Sequence, residues 1–144
     1  MKRLIVIVAG LALVASLAAG GFAATAKAPK SAKIMIRHQM RGCHTWSVNG
    51  GVYRATLSMS LARGGTITFT NMDVMPHKLL KTSGPAIHFV GKPNMNHMSA
   101  SVKVSFSKAG VYKLTTKAGE DYPGMKGMKT IGEDNVLRLT VRVS

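Results

Sequence analysis

Gly64-Gly-Thr-Ile-Thr-Phe-Thr-Asn71-Met-Asp-Val-Met-Pro-His77-Lys78 reads as a strand that runs into a turn and ends on a histidine. From Thr66 to Thr70 the residues are β-branched or aromatic, which suits a pleated, half-buried surface. Asn71 and Asp73 then supply turn chemistry. A histidine presented at the end of a strand is a candidate metal ligand, and His77 is the first candidate in this chain.

The same period of two extends outward in both directions. Ile34-Met-Ile36, Tyr53 to Leu61, Ala86 to Val90, Val102 to Phe106, Val111 to Thr115 and Val136 to Val143 are short and alternating or β-branched. Between them lie Asn49-Gly-Gly51, Arg63-Gly-Gly65, Thr82-Ser-Gly-Pro85, Gly91-Lys-Pro-Asn94 and Lys108-Ala-Gly110, all turn compositions. About seven strands joined by such turns, with no convincing helix, predict an all-β, antiparallel Greek-key sandwich. An immunoglobulin-like sandwich fits that pattern equally well.

The N-terminus reads as targeting. Lys2 and Arg3 precede an apolar run from Leu4 to about Ala19, then small residues and Ala24-Thr25-Ala26. These are the basic, hydrophobic and cleavage regions of a signal peptide over residues 1–26. An uncleaved anchor is the alternative, since the run approaches membrane-spanning length. The expected mature chain begins near Lys27 and lies outside the cytoplasm, in the periplasm or cell envelope or secreted. It comprises a short linker over 27–33 and one domain over 34–144, with no stable membrane insertion after cleavage. That length holds one core and is too short for two.

The formal charge is +15, and the positives are scattered. Besides Asp73, the acids sit in two pairs, Glu120-Asp121 and Glu133-Asp134. An exported address argues against nucleic acid, and no basic amphipathic helix suggests a membrane surface. A solvated basic surface suits an acidic partner protein or an anionic envelope polymer.

Taken together, Gly64 to Asn71 with His77, Phe106-Ser-Lys-Ala-Gly-Val-Tyr-Lys-Leu114, Gly124-Met-Lys-Gly127 and Val136 to Val143 resemble the cupredoxins, over most of the mature chain. In that family the corresponding segments are the first ligand loop, the penultimate strand, the Gly-Met-x-Gly ligand loop and the closing strand. The resemblance implies a cupredoxin-like sandwich, a copper ion cycling between Cu(I) and Cu(II), and His77 as a ligand. The family pattern also wants Cys, His and Met after the Gly-x-Tyr strand. Here the cysteine position falls on Thr116 and the histidine position near Gly119 or Glu120, and only Met125 matches. An ordinary His₂Cys centre built from these two loops is therefore excluded.

The missing donors occur in His38-Gln-Met-Arg-Gly-Cys43-His44-Thr-Trp46. In the cupredoxin sandwich this first connection lies at the ligand end, so Cys43 or His44 can stand beside His77. Thiolate, imidazole and thioether are donors that copper accepts, with a weak axial position left for Met or oxygen. Glu120 or Asp121 is the candidate oxygen donor and Met125 the candidate thioether. Zinc is the alternative ion, because it shares the Cys, His and carboxylate donors. Cys43 is the sole cysteine and forms no internal disulfide, so a buried thiol, an intermolecular bridge and a ligand stay open. On an extended strand Cys43 and His44 face opposite sides. Trp46 reads as a core or site-covering aromatic, and Met125 and Met128 also suit packing.

Met95-Asn-His97-Met98 forms a second cluster, similar in type to Met72 and Met75; such loops hold Cu(I) or fill irregular gaps. The chain has no Gly-x-Ser-x-Gly, phosphate loop, His-Glu-x-x-His or Cys-x-x-Cys, and it reads as a non-enzyme. The expected function is one-electron transfer to an acidic redox partner. Copper tolerance or delivery with a copper-handling partner, and a metal-free sandwich adhering to anionic polymer, are the alternatives.

Overall fold

Side-chain alternation becomes two stacked sheets. A computed structural model of the chain describes residues 27–39, 43–118 and 136–144; the Cys43 side chain is outside the description. The expected signal segment, Glu120, Asp121, Met125 and Met128 also lie outside the described residues. In chain order the strands are β1 (Ser31–Gln39), β2 (Cys43–Val48), β3 (Thr56–Leu61), β4 (Gly65–Asn71), β5 (His77–Ser83), β6 (His88–Val90), β7 (Asn94–Met95), β8 (Ser101–Phe106), β9 (Gly110–Lys117) and β10 (Arg138–Val143). One sheet has the order β2-β1-β4-β8-β6 and the other β3-β10-β9-β5-β7.

The expected all-β sandwich is observed, with most pairings antiparallel. One pairing in each sheet is parallel, β1 with β4 and β10 with β3. Parallel neighbours need a crossover connection, and each of these connections passes through the other sheet. Among the described residues no helix is long and apolar enough to cross a membrane.

Inward residues of both sheets make one core. Ile34 and Ile36 of β1, Trp46 of β2, Ile67 and Phe69 of β4 and Val102, Val104 and Phe106 of β8 come from the first sheet. Leu79, Tyr112, Leu114, Leu139 and Val141 meet them from the second. Phe106 and Tyr112 lock the layers edge to face at 5.0 Å. The Tyr112 hydroxyl, which would be costly to bury unpaired, donates to the Lys108 carbonyl at 2.6 Å.

Three departures from the sequence reading have local causes. Ser31, Ala32 and Lys33 are not linker; they belong to β1 and pair with Thr66, Ile67 and Thr68. Cys43–Val48 and His77–Ser83 are strands, although neither alternates cleanly in sequence. In β2 four successive residues from His44 to Ser47 are buried, so its polar residues are covered on both faces and hide the period of two.

Gly84 follows β5 with a φ of +99°, and a Cβ there would lie 2.5 Å from the Val111 carbonyl oxygen. Both the left-handed backbone and the contact oppose any side chain. Gly84→Ala is expected to destabilise the protein by about 2 kcal/mol. The check is a lower urea midpoint at unchanged slope.

Candidate metal centre

The site lies where the chain crosses between sheets after β4. Asn71, the last inward residue of β4, accepts the Asp73 backbone N–H on Oδ1 at 2.9 Å. Asp73 Oδ1 in turn accepts the Met75 N–H at 3.1 Å. Two successive side-chain-to-backbone turns of this kind fix the loop. The Asn71 amide clamps the loop from the other side, donating to the carbonyls of Met75 at 2.7 Å and Met95 at 3.2 Å.

This loop buries a carboxylate between two buried histidines. Asp73 and His77 are both 0% exposed and His44 is 2% exposed. Asp73 Oδ2 lies 2.9 Å from His44 Nδ1 and 3.3 Å from His77 Nε2. The two imidazole rings meet edge to face at 4.8 Å. Burial alone would push the Asp73 carboxyl up, but hydrogen bonds from His44, His77 and the Met75 N–H hold it well below the usual carboxylate range.

An ionised carboxylate only accepts, so it assigns the ring protons: His44 carries one on Nδ1 and His77 one on Nε2. Each ring then turns its other nitrogen, which carries the lone pair, away from Asp73. His44 Nε2 is buried and has no hydrogen-bond partner among the described residues. His77 Nδ1 lies 3.3 Å from the Thr116 hydroxyl near the end of β9. Carboxylate-to-imidazole hydrogen bonds of this type orient metal-ligating histidines, and an unpartnered buried nitrogen is otherwise costly. The residues present therefore fit a metal that takes imidazole donors.

The structure thus brings His77 and His44 to one carboxylate, from opposite sheets. Thr116, which stands where the family resemblance puts the cysteine, touches His77. Cys43 is the first residue of β2, paired with Gln39. Glu120 and Met125 have no described place. Trp46 is core, packed at 6.5 Å from Phe69.

Two further residues were missed in the sequence. Asp73 was visible only as a turn former, though it is the one acid in the chain four residues before a strand-end histidine. His38 pairs with His44 across β1 and β2 and puts Nδ1 3.9 Å from Asp73 Oδ1. His38, His44 and Asp73 are a group that can hold a metal ion, with His38 the exposed member. Two histidines separated by a hairpin at matching distances from its turn are the signal that would have found it.

No protein-family model and no curated protein matches the sequence. Solved structures similar to the chain include cupredoxins, the family the sequence resembles. One is a purple cupredoxin from Nitrosopumilus maritimus, at 24% identity over 78% of this chain and 99% of that chain, with a TM-score of 0.42. Another is the amicyanin of Paracoccus versutus, at 19% identity over 76% of this chain and 79% of that one, with a TM-score of 0.41. At these values the site of this chain rests on its own residues.

Proposed function

We propose that the protein is an exported copper protein that transfers single electrons through a mononuclear centre of altered ligand set. The observation that carries this reading is His44: a buried imidazole fixed by Asp73 through Nδ1, with Nε2 left without a partner. His77 supplies the second nitrogen from β5. Cys43 is the proposed thiolate, and Glu120 or Met125 the proposed weaker fourth donor.

Copper bound there supplies a one-electron couple, with thiolate and imidazole as donors it accepts in both oxidation states. The chain's own residues do the rest. Asp73 holds both rings in one tautomer and orientation. The sheets beneath, packed through Trp46, Phe69 and Leu79, resist rearrangement when the charge changes. Asp73 is the sole acidic residue among the described residues, so the described surface is basic and suits an acidic partner. Zinc shares the donors but has no redox couple.

The test is the visible spectrum of the protein with one equivalent of Cu(II), beside Cys43→Ser. An intense charge-transfer band that disappears in the variant is expected. The same spectrum in both proteins would remove Cys43 from the ligand set. Copper that binds without redox cycling would favour storage or delivery.

A further inference from the structure

Two loops beside the candidate centre carry methionine and histidine side chains that the centre does not use. The Asn71 amide nitrogen that clamps the ligand loop lies 2.7 Å from the Met75 carbonyl oxygen and 3.5 Å from that of His97. Those two loops, residues 72–76 and 96–99, are therefore stitched together at the end of β4. Ser99 adds two links: its N–H donates to the Asn71 carbonyl at 2.6 Å, and its hydroxyl lies 4.0 Å from Met72 Sδ. Met98 is the residue before Ser99 and is 49% exposed; Met72 and Met75 are half-buried.

His97 is also set for coordination. Its Nδ1 lies 2.8 Å from the Met98 carbonyl oxygen, which can only accept, so the ring carries its proton on Nδ1. Nε2 keeps the lone pair on an exposed side chain. A backbone carbonyl that fixes the tautomer in this way is a recurring feature of metal-ligating histidines. Three methionines and one histidine thus stand on two tied loops, and thioether and imidazole are soft, uncharged donors. Such donors favour Cu(I) over Zn²⁺ or Cu(II), and thioethers stay available where thiols oxidise. Packing alone does not account for Met98, since half of it faces solvent.

We infer that Met72, Met75, Met98 and His97 form a Cu(I)-binding site at the rim of the candidate centre, distinct from His44 and His77. The inference deepens the proposed copper function by giving the ion a receiving site beside its buried position.

Anaerobic titration of Cu(I) against the chromophoric chelator bicinchoninate tests it. The parent for this test is Cys43→Ser/His77→Gln, which removes the thiol and disables the proposed buried centre. This protein is expected to take up one equivalent of Cu(I), with a sulfur shell in its copper X-ray absorption spectrum. Adding Met72→Leu and Met98→Leu is expected to weaken that affinity by about tenfold or more, the scale on which groups around a metal site act. Met-to-Leu exchange conserves volume, and an unchanged urea midpoint confirms that the fold is intact. Equal affinity with and without the two methionines, or absence of the sulfur shell, overturns the inference. Loss of Cu(II) binding at His44 and His77 is read separately in the protein that keeps all four methionine-loop residues and Cys43, so failure of the buried centre is distinguishable from failure of the rim site.

Discussion

Replacing Asp73 by alanine is expected to destabilise the protein by about 3–5 kcal/mol, because three donors lose one shared acceptor. The carboxylate is fully buried and accepts from His44, His77 and the Met75 backbone. Alanine leaves all three donors without their acceptor in a space closed to bulk water, and each orphaned donor costs about 1–3 kcal/mol before relaxation. Asp73→Asn keeps the shape and one acceptor oxygen, so its expected loss is smaller, about 1–3 kcal/mol. Urea unfolding at neutral pH measures both, through the midpoint at constant slope. Asp73→Asn is the more informative variant, because it stays folded while its amide no longer fixes both tautomers. Its copper affinity is expected to fall by about 10- to 100-fold, as for loss of the hydrogen-bond partner of a ligand.

His44→Gln and His77→Gln carry the second large effect. Each removes an imidazole that points a nitrogen away from Asp73 at the end of the sandwich. Glutamine retains an amide that can donate to the carboxylate but offers no imidazole nitrogen. Copper affinity is therefore expected to fall by about 100-fold or more in either variant, at least as far as for an outer partner. His88→Gln is the control, since His88 is exposed on β6 and pairs with Ser105 in the first sheet. Competition titration against a chelator of known affinity reads all three. Loss at His44 and His77 with no change at His88 supports the centre, and equal retention in all three contradicts it.

The extent to which the sequence disclosed this arrangement differs from element to element. β4 was legible because threonines on one side alternate with Ile67 and Phe69 on the other, and its loop was legible because Asn71 and Asp73 are turn formers. β8, β9 and β10 followed from the same period. β2 and β5 were hidden by their composition: Cys43-His-Thr-Trp46 and His77-Lys-Leu-Leu80 mix polar, aromatic and apolar residues. The nearness of His44 to His77 follows from a pairing of sheets that local pattern does not encode. Asp73 was undervalued because an aspartate in a turn is common, and only its complete burial separates it from a solvated one. Its isolation in a chain of five acids, four of them in adjacent pairs, was the available hint. The contribution of Cys43, Glu120 and Met125 stays with the spectroscopic tests.

The measurement that addresses the central claim most directly is pulsed electron paramagnetic resonance of the protein with one equivalent of Cu(II), counting coordinated imidazoles from the remote ring nitrogens. The account predicts two in the parent and one in each of His44→Gln and His77→Gln. A parent spectrum without coordinated imidazole, or one unchanged by both substitutions, would contradict it.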